Sequence, residues 1–523
     1  MIVLGIESTA HTASVGFVED GKIIDFVSDS YRPSSGGINP REAASHHMDC
    51  FPDLLVKLLD RNSLDIKDID RISVATGPGL GPALKTGVEM ARYLSLKYGK
   101  ELVPVNHGVA HLEIARNMSS FESPLFLYVS GGNTQIEIIG NGMYSVLGET
   151  LDIGVGNFLD KLARDLGIPF PGAPKLEEIA SRGGEIFDCP YTIRGMDVAF
   201  SGLYTHLKNM IGKREERDIA FNAQEYAFTA LAEIVERGMA HFGLRELAIT
   251  GGVARNRRLQ QLLREMSELR GYDYFFPEDK FLSDNGAMIA LAGYFSKRVE
   301  SPEDTRINQY ERVDSYTAEW IGSRKVSPKS MVGGESMVED VKFQGVECIR
   351  KVRRGREYRN PSLDRKINSQ RLRREVRLLS AIKKVGINAP TVMYVDIDDL
   401  SIIMTKIKGK PLSMFLSDGN FNALVRESGR ITALMHLSKI SHGDLNAGNI
   451  IYNGDLWVID PSMGSTSPTL EDFGIDVHLM KESLSSLGRE RSFREFLKGY
   501  ENFNRYEEVL NKVKEIEGRR RYL

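Results

Sequence analysis

The sequence predicts an α/β chain organised as a duplicated two-lobe domain followed by a small bilobal α+β domain. Three observations predict it: a repeated strand-turn-strand pattern, helical stretches alternating with that pattern, and a loss of apolar periodicity beyond residue 310. The first repeat unit is IVLGIESTAHTASVGFVEDGKIIDFV, with apolar strands around a polar Ser8-Thr9 turn and an Asp20-Gly21 hairpin. The second, LFLYVSGGNTQIEIIGNGMYSVLG, sets Gly131-Gly132 and Asn141-Gly142 at the corresponding turns. Helical stretches such as Pro82 to Tyr98 and Gln224 to His241 follow the units, so two α/β lobes facing a cleft are expected.

Tyr310 to Val332 gains Ser, Lys and Pro, and reads as a linker with a boundary near Arg324. The expected division is a first domain over 1–323, a linker over 324–328 and a second domain over 329–523. In the second domain VECIRKV reads as a strand, Asn368 to Val385 as a basic helix and SIIMTKI as a strand, before a helical half interrupted by HGDLNAGN.

With 523 residues the chain exceeds what one hydrophobic core supports. Apolar and charged fractions of 41% and 27% exclude collagen-like, disordered and membrane classes. Cys50, Cys189 and Cys348 lie far apart without a C-x-x-C pair, so no disulfide framework or zinc ribbon is encoded, and a reducing cytoplasm is expected. No stretch reaches the ~18 apolar residues of a membrane span, and the start MIVLGIES lacks a basic leader, so no membrane partner or targeting is expected. The net charge of -3 hides a basic run from Arg350 to Arg377 and a terminal RRRYL. In it Arg353, Arg354, Arg356, Arg359 and Arg519 to Arg521 are expected either to touch RNA phosphates or to form a solvated helix face.

His107 and His111 in NHGVAHLEIARN are four residues apart, which on a helix puts both imidazoles on one face. The pair equally describes two buried or solvated histidines, so a third ligand is required. Asp284 in SDNGAMIALAGYF is a candidate, with a helix N-cap as its alternative role. GIESTAHT, VSGGNT and TGGVARN each end a strand and can bring backbone N–H groups to phosphate or ribose.

Read in order, GIESTAHTASVG, ATGPGLGPALKTG, NHGVAH, LYVSGGNTQ, GVGNFLDKLARDLGIPFPGAPKLE, AFSGL, ITGGVARN and LSDNGAM resemble the universal tRNA threonylcarbamoyl transferase family over residues 1–323. The resemblance is to the archaeal and eukaryotic members that belong to the KEOPS complex. It implies an actin, hexokinase and Hsp70-like fold. It also implies transfer of threonylcarbamoyl from threonylcarbamoyl-AMP to N6 of the adenosine adjoining the anticodon of ANN-decoding tRNAs. By matching motif, His107, His111, Tyr128 and Asp284 would surround one iron or zinc ion, both of which suit mixed nitrogen and oxygen ligands. The adenylate would meet Tyr128, Val129, Ser130, Gly131, Gly132, Asp160, Ala173, Glu177 and Asn256, with Ala173 replacing the second Gly of the usual Pro-Gly-Gly-Pro. The partners implied are tRNA, small KEOPS subunits and a separate threonylcarbamoyl-AMP synthase. A zinc metallopeptidase is the first alternative, but Gly108 stands where H-E-x-x-H needs its general-base Glu. An ATPase or sugar kinase of the same fold is the second.

In the second domain Asp444 precedes Asn449 by five residues, the spacing of a kinase catalytic loop, and WVIDPS supplies Asp460. Lys351 can reach ATP phosphates and Glu375 can pair with it. GGES, IRKVRRGREYRNPSLD, RREVRLL, HGDLNAGN and VIDPS resemble the small atypical serine/threonine kinase of the same complex across 329–523. That resemblance implies Asp444 as catalytic base, Asn449 and Asp460 as magnesium ligands, Lys351 on ATP, and Gly333, Gly334 and Glu335 as a reduced phosphate loop. Asp460-Pro461-Ser462 replaces D-F-G and no A-P-E segment is visible, so ATP hydrolysis or autophosphorylation supporting the transferase is expected.

Overall fold

The computed structural model describes residues 1–33, 37–140, 142–321, 336–416 and 419–519. The expected boundary near Arg324, the Asn141 half of the second hairpin and Gly333-Gly334-Glu335 lie outside the described residues.

The duplication is visible in strand order. In the first lobe β1 (Ile2–Glu7), β2 (Thr12–Glu19) and β3 (Lys22–Ser30) form an antiparallel meander. Helix α1 (Pro40–Asn62) leads to β4 (Arg71–Gly77), α2 (Gly81–Tyr98) and β5 (Glu101–Asn106), giving a sheet ordered β3-β2-β1-β4-β5. Helix α3 (His107–Ser119) then crosses to the second lobe. There β6 (Leu125–Val129), β7 (Thr134–Gly140) and β8 (Met143–Glu149) repeat the meander. Next come α4 (Val155–Asp165), α5 (Ala173–Ala180), the short pair β9 (Thr192–Arg194) and β10 (Asp197–Ala199), α6 (Ser201–Lys208) and the long α7 (Glu216–Phe242). Strand β11 (Glu246–Thr250), α8 (Arg257–Arg270) and β12 (Asp273–Phe275) complete a sheet ordered β12-β11-β6-β7-β8, the same arrangement as the first. In both sheets the first meander strand pairs in parallel with the strand beyond it, β1 with β4 and β6 with β11.

After α9 (Asp279–Leu282), α10 (Gly286–Phe295) returns to the first sheet and packs backbone to backbone on it. A Cβ at Gly5 would stand 2.1 Å from the Gly286 carbonyl oxygen, and one at Gly16 would stand 2.4 Å from the Ala287 nitrogen. This close approach sets Asp284, at the foot of α10, against the start of α3.

The second domain opens with β13 (Ser336–Phe343) and β14 (Val346–Arg353), then α11 (Pro361–Lys384), β15 (Val392–Asp396) and β16 (Ser401–Thr405), in a sheet ordered β13-β14-β16-β15. A small sheet of β17 (Lys410–Pro411), β18 (Ile450–Tyr452) and β19 (Leu456–Val458) follows, interleaved with helix α12 (Phe421–Leu437). The helices α13 (Leu470–Ser486), α14 (Phe493–Tyr500) and α15 (Tyr506–Arg519) close the lobe. Among the described residues no helix is long and apolar enough to cross a membrane.

The two domains are clasped through α7. Glu233, fully buried, accepts from Arg359 at 2.5 Å, Arg371 at 2.6 Å and Arg237 at 2.6 Å. One turn on, Glu236 takes the Tyr358 hydroxyl at 2.8 Å and the Arg356 guanidinium. Burial alone would raise the Glu233 carboxyl, but Arg371, Arg237 and Arg359 together hold it well below the usual range. For Arg353, Arg356 and Arg359 these facts correct the reading as RNA contacts or a solvated face. Arg353 bonds Glu375 at 2.6 Å, and Arg356 and Arg359 are spent on the clasp. Of those four early arginines only Arg354 is exposed, while Arg520 and Arg521 lie outside the described residues.

Candidate active sites

Helix α3 begins where β5 ends, capped by Asn106, whose side-chain oxygen accepts from Val109 N at 3.1 Å. That start places His107 and His111 with ring centroids 4.8 Å apart and planes nearly perpendicular. Asp284 faces both: its Oδ1 lies 3.2 Å from His111 Nε2 and 3.7 Å from His107 Nε2. The alternative role of Asp284 as an N-cap falls to its neighbour, since Asn285 Oδ1 accepts from Met288 N at 2.9 Å. Tyr128, at the end of β6, tilts against His111 with centroids 5.1 Å apart, and Asn133 Nδ2 donates to its hydroxyl at 3.2 Å.

The outer nitrogens of both imidazoles are also held. His107 Nδ1 donates to Glu7 Oε2 at 2.8 Å, and Thr9 bonds the other Glu7 oxygen through its N–H at 2.6 Å and its hydroxyl at 2.5 Å. Thr250 Oγ1 lies 3.3 Å from His111 Nδ1. Glu7, Thr9 and Thr250 were not singled out from sequence; a buried Glu ending an apolar strand was the available signal. Burial pushes His107 down, but Glu7 outweighs it and holds the ring up to about 9. Burial lowers His111. Burial would raise Asp284, yet the hydrogen bond from His111 and the nearby His107 hold it far below the carboxylate range.

The residues expected around an adenylate form a ring of contacts in the second lobe. The turn Ser130–Asn133 closes through Ser130 N to Asn133 O at 2.8 Å and sits on the first turn of α4, where Asn157 N meets Gly131 O at 2.9 Å. A Cβ at Gly154 would stand 2.5 Å from both the Gly131 and Gly132 carbonyl oxygens, so the fit needs glycine. Asp160, on α4, accepts Gly172 N and Ala173 N, each at 2.9 Å, and so holds the start of α5 through backbone alone. Glu177 on α5 accepts Arg257 N at 2.7 Å. Asn256 caps α8 with its oxygen and donates to Gln224 at 3.1 Å, which occupies both ends of its side chain. Gly131 and Gly132 are exposed, and among the described residues their N–H groups carry no hydrogen bond.

In the second domain Lys351 Nζ lies 2.8 Å from Glu375 and 2.7 Å from Asp460, so the expected lysine-glutamate pair is formed. Asn449 Nδ2 donates to the Asp444 carboxylate at 3.0 Å and its backbone carbonyl at 2.8 Å. Burial raises the Asp444 carboxyl, helped by the neighbouring Asp460 charge. Burial would raise Asp460 too, but Lys351 beside it holds it below its ordinary value. Asp460 sits in the left-handed region at φ 55°, and its Oδ1 is buried without a partner. Asp476 was missed from sequence: it fixes the catalytic-loop backbone, accepting His442 N and Gly443 N at 2.7 Å each.

Comparison with known proteins finds a family for each domain. The model of the tRNA N6-adenosine threonylcarbamoyltransferase family matches residues 22–291, and that of the RIO domain matches 336–471. A probable bifunctional tRNA threonylcarbamoyladenosine biosynthesis protein of Thermoplasma acidophilum is 41% identical over the whole of both chains. The chain belongs to this bifunctional family. Proteins of the same description from Thermoplasma volcanium and Methanocaldococcus jannaschii are 38% and 39% identical, again over the full length of both chains. Among solved structures, HypF of T. kodakarensis aligns over 56% of this chain and 47% of its own, at 18% identity and a TM-score of 0.41, too slight a likeness to argue from. The bifunctional transferase thus carries a threonylcarbamoyltransferase domain and a RIO kinase domain in one chain, in the order expected from its motifs. At Gly108, where H-E-x-x-H carries its glutamate, a Cβ would stand 2.5 Å from the Val313 side chain.

Proposed function

We propose that the first domain passes the threonylcarbamoyl group of threonylcarbamoyl-AMP to N6 of the adenosine adjoining the anticodon in ANN-decoding tRNAs, using the His107, His111 and Asp284 cluster with Tyr128 beside it. The observation that carries this reading is the convergence of two imidazole Nε2 atoms on one carboxylate, with each Nδ1 held from behind. Histidines that bind a metal are backed in this way, so the donor set fits one iron or zinc ion held by His107, His111, Asp284 and Tyr128. When bound, such a cation polarises the carbamoyl oxygen and makes its carbon more electrophilic toward a weakly basic aromatic amine.

The chain's own residues do the rest. Glu7 and Thr9 fix the His107 ring, Thr250 fixes His111, and the free Gly131 and Gly132 N–H groups offer the adenylate phosphate donors that need no reorganisation. Holding donor and acceptor in one cleft replaces a bimolecular encounter by a positioned one, and no side-chain nucleophile is required. The carbamoyl C–O bond to AMP breaks as the C–N bond to N6 forms, and the proton lost by N6 passes to solvent. Nucleosides of tRNA incubated with the protein, a threonylcarbamoyl-AMP synthase, threonine, bicarbonate and ATP are expected to contain threonylcarbamoyladenosine by mass spectrometry; unmodified adenosine throughout would refute the assignment.

The second domain binds ATP and magnesium on this reading, with Lys351 on the phosphates, Glu375 orienting it, Asn449 and Asp460 holding the cation and Asp444 as base. The unpartnered Asp460 oxygen supports a cation there. Gly333, Gly334 and Glu335 belong to the same proposal from sequence alone. Small KEOPS subunits and a cytoplasmic setting complete it. Labelled γ-phosphate of ATP is expected to appear on protein or as free phosphate, and no turnover in either form would exclude the role.

A further inference from the structure

A second histidine cluster lies on the other side of the turn that backs His107. Helix α1 carries His46, His47 and Cys50, at spacings that put each histidine within one turn of the thiol on the same side of the helix. His46 Nδ1 and His47 Nδ1 lie 3.3 Å apart, and Cys50 Sγ lies 3.9 Å from His46 Nδ1.

The outer nitrogens decide the tautomers. His47 Nε2 is 3.1 Å from the Ala10 carbonyl oxygen, which can only accept, so Nε2 carries the proton. His46 Nε2 is 3.1 Å from the Asp29 carboxylate and carries its proton for the same reason. Two neutral imidazoles so held aim bare lone pairs at each other across 3.3 Å. Either a third proton or a cation must lie between them, and a sulfur closes the third side. For a tetrahedral ion with Zn–N of about 2.0–2.1 Å and Zn–S of about 2.3 Å, the ligand atoms stand roughly 3.3 Å apart for N and N and about 3.6 Å apart for N and S. The observed separations are 3.3 and 3.9 Å. An imidazole whose far nitrogen donates to a carboxylate or a backbone carbonyl is also the arrangement that orients metal-bound histidines.

We propose that His46, His47 and Cys50 form a second metal site, selective for a borderline-soft divalent cation of the zinc class and separate from the His107 cluster. Three protein ligands leave a fourth position for water. His46 and Cys50 are partly exposed, which gives the ion an entry path, and Cys50 is a free thiol. Burial holds the Cys50 thiol up to about 11 and His47 down to about 4. A bound cation would take Cys50 as the thiolate, so binding releases a proton. The Ala10 carbonyl ties the site to the Ser8–His11 turn, whose Thr9 bonds Glu7 behind His107. An occupied site braces that turn.

Cobalt(II) titration of the full-length, metal-stripped protein tests this. Wild type is expected to bind two equivalents and to show a near-ultraviolet thiolate-to-cobalt band. Cys50→Ser is expected to lose the band and one equivalent, whereas His111→Ala loses one equivalent and keeps the band. Asp29→Asn, which leaves every ligand in place, is expected to weaken the thiolate-linked site about 10–100-fold. A wild type without the thiolate band, a band that survives Cys50→Ser, or an unchanged affinity in Asp29→Asn would overturn the proposal, whereas a single equivalent that carries the band would count against the His107 cluster alone.

Discussion

The two lobes of the transferase domain share one strand order and use it for opposite chemistry. In the first lobe the end of β1 is charged: Glu7 bonds His107, and the cluster with His111 and Asp284 is built of side chains. In the second lobe the corresponding turn after β6 is Ser130–Asn133, where Gly131 and Gly132 leave the backbone exposed. The same topology thus supplies a site that concentrates charge and a site that disperses it. The second lobe has one further duty, because α7 carries Glu233 and Glu236 and clasps the RIO domain. Duplication gave two frames, and the residues at each turn decide what a frame does.

Four substitutions press on that contrast. The largest effect is expected from Glu233→Ala. It strands Arg359, Arg371 and Arg237 in a buried site, and losing one member of such a network costs about 3–5 kcal/mol. Thermal unfolding should then resolve two transitions where wild type shows a joint one. Asp284→Asn removes the charge that both imidazoles face, and transfer is expected to fall at least ~10²-fold while calorimetry finds adenylate affinity unchanged, which separates the charged lobe from the backbone lobe. Gly132→Ala acts conversely. Its Cβ would meet nothing within 4 Å in the protein, so stability should hold while adenylate binding weakens about tenfold.

The smallest effect concerns Glu137 on β7, whose two carboxylate oxygens are buried without partners. Burial raises its carboxyl to about 8. A carboxyl raised in the folded state binds its proton more tightly there than in the unfolded chain, so stability falls as pH rises from the ordinary glutamate range toward about 8. Glu137→Gln should therefore unfold at a higher temperature than wild type at pH 8, by roughly 1 kcal/mol or more, and nearly equally at pH 5.

What the sequence revealed was local. The strand-turn-strand repeats and the four-residue spacing of His107 and His111 follow from short-range pattern, the pairing of Lys351 with Glu375 follows from the kinase-like order of motifs, and the fold shows each of them. The helix expected from Gln224 runs from Glu216, two turns earlier. Long-range partners were not legible. Glu7 meets His107 across 100 residues, and Arg359 meets Glu233 across 126, so the basic run looked like a free surface when its partners were out of view. Asp284 was ambiguous because an acidic residue before a helix is a good cap; only the fold gives that role to Asn285.

The central claim is that group transfer belongs to the imidazole-carboxylate cluster of the first domain and not to the RIO domain. Single-turnover transfer from preformed threonylcarbamoyl-AMP to tRNA, without ATP, compares His111→Ala with Asp444→Asn most directly. A rate near wild type is expected for Asp444→Asn and none above background for His111→Ala. Transfer by His111→Ala at the wild-type rate would contradict it.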